Sequence, residues 1–250
     1  VTQFETNAPT RINTTSKITV KLIDKMGGDA TLAAAAKVLE PEAYTEYLAT
    51  HEKSSVDGLL RYLIQHRHGT PFEHGSLSFF VHAPICVWRE WHRHRIGFSY
   101  NEESGRYKTL APLFYLPPRD RPMMKVDGWE PGRPKFLQCE DEQVYLQLCR
   151  NLSYSYAIAY EMYKGNLALN IDPGLARDCL PMGIYSACWV TCNPRSMMSF
   201  LSLRTHEPTA KYVSYPLYEI EVAARVAEEI FAAGWPITYK SFCDFGRVAP

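Results

Sequence analysis

The 250-residue chain has no net charge, because 27 basic and 27 acidic residues cancel. No global field draws it to nucleic acid or to an anionic membrane, so any anion it binds must be gripped locally. It has no CxxC pair. Its seven cysteines are scattered, with Cys188 and Cys192 four apart in an apolar stretch and no second pair to match them. That pattern argues against a structural metal site, and the odd count suits reduced thiols in a cytoplasmic protein. No apolar run reaches membrane-spanning length, and Val1 to Ser16 is polar, without the apolar core of a leader, so residues 1–16 read as a flexible tail. Also missing are GxGxxG after a strand, GxxxxGKS/T, GxSxG and HExxH. A nucleotide bound here needs a device other than a Rossmann fold or a P-loop.

What is present suits a globular chain: 46% hydrophobic, 22% charged and a generous 13% aromatic. Ile18–Ile23 alternates as a strand, and Asp29–Leu39 reads as a helix capped by Asp29 or Thr31. A second helix opens near Ser54, carries the stripe Leu59, Leu60, Leu63 and Ile64, and halts near Gly69-Thr70-Pro71. Leu77–His82 reads as a strand, with Pro84 starting a helix that runs to about Arg95. Residues 117–134, rich in proline, glycine and charge, read as a flexible surface excursion. Helices are then expected over Glu140–Lys164, Gly174–Leu180, up to Leu203 after Asn193-Pro194, and over Tyr218–Phe231, with a strand at Ile184–Cys192. Strands and helices do not alternate regularly, so the expectation is α+β: a mixed sheet with long helices, residues 17–250 forming a single domain.

The most informative stretch is Arg93 to Tyr107, which packs three arginines, a histidine, two carboxylates, an asparagine and two serines into fifteen residues. Asn, Ser and Gly weaken a helix unless they cap or turn, so the mixture suits a loop for a phosphorylated ligand. Arginine forks and serine hydroxyls grip phosphate, and glycine lets the backbone approach. A loop held together by its own ion pairs is the competing reading. His66 with His68 and His92 with His94 resemble metal pairs, but Arg67, Arg93 and Arg95 repel a divalent cation and favour an anion. On the expected helix Arg89, His92 and Arg93 share one face and Trp88, Trp91 and Arg95 another; Trp88 and Trp91 read as core or interface anchors.

Taken together these motifs resemble the flavin-dependent thymidylate synthases. That family's signature is Arg-His-Arg, seven residues, then Ser-Gly-Arg-Tyr; here eight residues separate Arg93-His94-Arg95 from Ser104-Gly105-Arg106-Tyr107, and Gly97-Phe98 is the place for the extra one. His68-x-Thr70-Pro71-Phe72-Glu73-His74, Ala176-Arg177, Asn193-x-Arg195-Ser196 and Leu203-Arg204 match in the family's order, and the resemblance covers about residues 18–245. It implies a homotetramer with active sites built from several chains. It implies FAD as cofactor, NADPH and methylenetetrahydrofolate as co-substrates, and reductive methylation of a uridylate at C5. From the charge balance, the arginines beside the histidine pairs and the lack of a spanning run, no metal, no nucleic acid and no membrane are expected.

Carried over by motif, the resemblance assigns Thr70, Arg93, His94, Arg95, Asn101, Glu102, Asn193 and Arg195 to FAD, with Ser199 at a position where an Asn is expected and His68 as a folate or flavin contact. Ser104, Gly105, Arg106 and Arg177 would hold the nucleotide phosphate, with Glu90, Arg93, Glu102 and Glu103 nearby. Arg204 would face the pyrimidine and stabilise the anion formed when N3 ionises. The chain departs from the pattern at Lys37, at Glu90 where Gln is common, at Ser199, and over Thr205–Lys211. The first expectation is conversion of dUMP to dTMP, supplying thymidylate. The alternatives are methylation of UMP in nucleoside-antibiotic biosynthesis of the polyoxin type, a dual UMP/dUMP methylase, and an inactive flavin- or nucleotide-binding scaffold.

Overall fold

The computed structural model describes residues 11–50, 53–128, 132 and 134–250. In chain order the elements are β1 (Asn13–Thr15), β2 (Thr19–Met26), α1 (Asp29–Lys37), α2 (Pro41–Thr50), α3 (Lys53–Gln65), a 3-10 turn at Thr70–Glu73, β3 (Ser76–Pro84) and α4 (Ile85–Trp91). Next come β4 (Phe98–Glu102), β5 (Leu113–Tyr115), β6 (Pro122–Lys125), β7 (Phe136–Gln138), α5 (Glu142–Ala168), α6 (Pro173–Ala176) and a second 3-10 turn at Arg177–Cys179. The chain finishes with β8 (Tyr185–Cys192), α7 (Pro194–Arg204), α8 (Tyr218–Gly234) and α9 (Pro236–Asp244). The fold is α+β. Four strands form a sheet in the order β2-β3-β8-β4, β1 pairs with β5 in parallel, and β6 pairs with β7 antiparallel.

Contacts gather into two compact units. The first comprises the described residues up to Ile18, His82–Glu90 and those of Glu102–Ala187; the second comprises Thr19–Val81, Trp91–Asn101 and Cys188–Pro250. The first unit has an aromatic core of Phe114, Tyr156, Tyr160 and Tyr163 with Leu110, Ala176 and Ile184. Phe114 stacks on Tyr156 with ring centroids 4.9 Å apart. The buried hydroxyls are satisfied on the Leu110 backbone: Tyr160 Oη donates to its carbonyl, and Tyr163 Oη accepts from its amide. Asp141 starts the long helix α5 by accepting from the amides of Gln143 and Val144. In the second unit α8 packs against β2, and α1, α3, α7, α8 and α9 pack on one another. Trp91 lies fully buried and stacked on Phe200, 4.7 Å between centroids, and Trp88 is equally buried in the first unit, as expected of core anchors.

Several expectations are corrected. Asp29 does not cap its own helix. Its carboxylate accepts from the amides of Ile237 and Thr238 and from the Thr238 hydroxyl, so it caps α9, whose first turn would otherwise leave those donors orphaned. Thr31 serves α1 instead, accepting from the Gly28 amide. The helix expected to reach Arg95 ends at Trp91, because the Tyr100 hydroxyl donates to the carbonyls of Trp91 and His94 and folds 91–95 into a turn. The fifteen-residue loop contains a strand, β4, and the expected excursion after Pro117 contains β6, paired with β7. Asn13–Thr15, placed in the flexible tail, is a strand; residues 1–10 lie outside the described residues.

Candidate active site

Helix α7 is set by its first four residues. Asn193 Oδ1 accepts from the Ser196 amide at 2.8 Å, and Pro194 occupies the first turn, where a missing N–H costs nothing. Eleven residues later the helix ends on Arg204. Ser199, Leu203 and Arg204 line a cavity of about 420 Å³ whose other wall is Arg93, His94, Arg95, Ile96 and Phe98, all in the second unit.

Within it, Arg204 Nε donates to His94 Nε2 at 3.0 Å. The imidazole must therefore be neutral, with its proton on Nδ1. Its surroundings enforce this: burial first, and the Arg204 charge second, push the His94 pKa down to about 4. Phe200 meets the same ring in a T-shaped contact, 5.0 Å between centroids. The cavity thus sets fixed guanidinium charge beside the apolar side chains of Ile96, Phe98 and Leu203, with His94 neutral at about pH 7.

The turn that brings Arg93–Phe98 onto α7 depends on Gly97. Its φ is +68°, and a Cβ there would lie 2.1 Å from Ser196 Oγ and 2.9 Å from Asn193 Nδ2. Ser196 Oγ instead donates to the Ile96 carbonyl at 2.9 Å, tying this turn to the first turn of α7.

Thr70, His68 and Arg195 belong to the same unit but do not line that cavity. Arg195 donates to Glu73 at 2.6 Å and to the Pro250 carbonyl at 2.8 Å, and it lies so close to Gly69 that a Cβ there would meet its guanidinium at 2.5 Å. Asn101 is exposed on β4.

The first unit holds a second cavity, of about 400 Å³, lined by Arg89, Glu102, Glu103, Gly105, Arg177, Asp178 and Ser186 among apolar side chains such as Ile85 and Leu110. Gly105 admits this packing: a Cβ would come within 3.1 Å of Arg177 Cδ and of Leu110. Ser104 Oγ accepts from the Arg106 amide at 3.3 Å, and Glu103 pairs with Lys108 at 2.6 Å. Ser104, Arg106 and Glu90 lie in this unit without lining its cavity.

The residues matched to flavin therefore fall in the second unit, apart from Glu102. Those matched to nucleotide fall in the first, apart from Arg93 and Arg204. Sequence reasoning missed Arg89 and Ser186. The Ser186 hydroxyl is buried, with the residue 2% exposed, and has no hydrogen-bond partner among the described residues. Nothing in a single Ser on a strand signals this. Ser196 was legible only as part of Asn193-x-Arg195-Ser196, although its spacing from Asn193 is that of a capped first turn.

Comparison with known proteins identifies the family. Residues 21–237 match the family described as thymidylate synthase complementing protein. The flavin-dependent thymidylate synthase of Streptomyces coelicolor is 43% identical over 242 residues, 96% of each chain. That of Streptomyces avermitilis is 42% identical over 239 residues, 94% of each. The crystal structure of the UMP/dUMP methylase PolB from Streptomyces cacaoi bound with 5-Br UMP matches with a TM-score of 0.87 at 39% identity, covering 96% of this chain and 99% of that one. A second PolB structure, bound with 5-Br dUMP, matches with a TM-score of 0.86 at 40% identity. On this near-full-length similarity, the chain belongs to the thymidylate synthase complementing protein family, the flavin-dependent thymidylate synthases.

Proposed function

We propose that this chain methylates C5 of a uridylate, with methylenetetrahydrofolate as one-carbon donor and FAD and NADPH as the redox partners. The observation that carries the reading is Arg204, a non-titrating cation held by neutral His94 in a partly apolar cavity. The donor set there suits FAD: Arg93 and Arg95 offer forks to a pyrophosphate, and Ile96, Phe98 and Leu203 offer apolar surface to flat rings. When bound, FAD supplies the hydride that completes the methyl group. The chain's own residues do the rest. Arg177 and the Ser104-Gly105-Arg106 turn bind the nucleotide phosphate. Arg204 stabilises the pyrimidine once N3 has lost its proton, which raises electron density at C5. His94 takes no proton; its acceptor nitrogen fixes the direction of the Arg204 guanidinium. No thiol nucleophile is needed, and burial pushes the Cys192 thiol far up, out of thiolate range. Glu90, Arg93, Glu102 and Glu103 assist at the nucleotide, and Thr70, His68, Asn101, Asn193, Arg195 and Ser199 assist at the flavin or folate. We place the working enzyme in the cytoplasm as a homotetramer that shares its sites between copies.

Conversion of dUMP to dTMP is the first reading. Methylation of UMP, alone or beside dUMP, is the second, and Ser186 favours it. Ser186 lines the cavity of Arg177 and Gly105, its buried hydroxyl has no partner among the described residues, and a 2′-hydroxyl, which is what separates the two substrates, would supply one. The test is parallel turnover of dUMP and UMP by the purified yellow protein with NADPH and methylenetetrahydrofolate, repeated with Ser186→Ala. Methylation of dUMP alone assigns thymidylate supply, and UMP turnover that falls selectively in the variant assigns ribose recognition. Tight FAD with neither activity leaves the scaffold reading.

A further inference from the structure

A charged network outside the proposed chemistry lies just past the end of α7. Glu228 and Arg247, each 5% exposed, pair at 2.6 Å through Oε1 and Nη2. Tyr239 Oη donates to the same carboxylate oxygen at 3.0 Å, and Arg225 Nη1 donates to the other at 3.0 Å. Both arginines also hold the two residues that follow Arg204. Arg247 Nη2 donates to Thr205 Oγ1 at 2.9 Å, and Arg225 Nη2 donates to the His206 carbonyl at 2.5 Å. Glu221 closes the ring, accepting from Arg225 at 3.0 Å and from the His206 amide at 2.8 Å. Thr205 Oγ1 in turn donates to the Leu201 carbonyl at 2.6 Å, inside α7.

Such an arrangement is a poor source of net stability, because desolvation cancels most of a buried pair's attraction. Arg247 also takes a left-handed φ of +56°, a strained conformation for a residue with a side chain. What a satisfied buried network does supply is a single geometry. Here that geometry fixes residues 205 and 206, and with them the end of α7 that carries Arg204 against His94.

We propose that Glu228, acting through Arg247 and Arg225, is a positioning residue for Arg204. The inference rests on the role given to Arg204 above, so its test uses a readout independent of turnover. In the full-length, flavin-loaded protein the His94 ring is titrated by proton NMR, its signal assigned by its loss in His94→Gln. Arg204→Gln marks how far the titration rises once the neighbouring charge is gone. Glu228→Gln keeps the shape and removes the carboxylate charge. It should move the His94 titration upward toward the Arg204→Gln position and lower kcat at least tenfold, with little change in the KM for uridylate. If that variant does not fold, Thr205→Val removes the Arg247 anchor together with the Thr205 bond to the Leu201 carbonyl, and carries the same expectation for His94. An unmoved His94 titration in a folded variant overturns the proposal, whatever happens to turnover. A raised titration with full methylation supports the positioning and overturns the role of Arg204.

Discussion

Arginine keeps its charge at every physiological pH, and Arg204, held against His94 in its cavity, is the group we propose to meet the pyrimidine anion. Arg204→Ala should leave the purified protein yellow while lowering kcat by about 10²–10³-fold, the range for loss of one preorganised transition-state donor. Absorbance and single-turnover assays separate the two effects, and retained turnover would remove Arg204 from its place. His94 predicts a stability signature. Its folded pKa of about 4 lies below the ordinary 6.5, so the folded state holds fewer protons between those values. Its contribution is therefore complete above about pH 6.5 and is lost as pH falls toward 4. Urea unfolding at pH 7, 5.5 and 4.5 should show a smaller acid-induced loss in His94→Gln than in the parent; parallel losses would mean His94 titrates normally. The clustering of Arg, Ser and carboxylates at 93–107 was legible because those residue types have few uses together. The His94–Arg204 bond was not, since it joins side chains 110 positions apart whose meeting depends on how β4 and α7 pack.

At the scale of elements, the turn into β4 and the cap of α7 form one device. Gly97→Ala forces a side chain into the left-handed region and against Ser196 Oγ. It should cost about 1–3 kcal/mol, read as a lower denaturation midpoint with unchanged slope; a neutral substitution would show that the turn relaxes freely. The long elements α5, α7, α8 and β8 were readable from periodicity, capping Asn193 and flanking Pro194. Others were not. Helix α2 buries none of its residues, so no apolar stripe announced it. The end of α4 is decided by Tyr100, nine residues beyond Trp91, and the cap of α9 by Asp29, more than two hundred residues away. Local pattern cannot carry such information.

For the whole molecule, Arg177 and most residues matched to nucleotide lie in one compact unit, while Arg204 lies in the other with most residues matched to flavin. On the proposed sharing of sites between copies, Arg177→Ala and Arg204→Ala homo-oligomers should each be inactive. After subunit exchange their mixture should regain part of the activity, because some sites then combine an intact Arg177 from one chain with an intact Arg204 from another. Turnover after mild denaturation and co-refolding measures this, with each variant refolded alone as control. No recovery in verified hetero-oligomers would place both arginines of a site on one chain. The four-stranded order β2-β3-β8-β4 was not legible, since strand neighbours are set by the path of the chain over tens of residues.

Gly97 has one more consequence, for how such a chain can change length. Along β4 successive side chains alternate between half-buried and exposed, from Phe98 through Glu102. A residue inserted within the strand would exchange its two faces and send Tyr100 outward with Asn101 inward. The left-handed bend at Gly97 comes before the strand, so a spare residue there is taken up as a kink and the alternation after it is preserved. A change of length by one residue ahead of the strand therefore leaves the faces of β4 as they are. The bend itself admits only glycine, because any side chain there would meet Ser196 Oγ and Asn193 Nδ2.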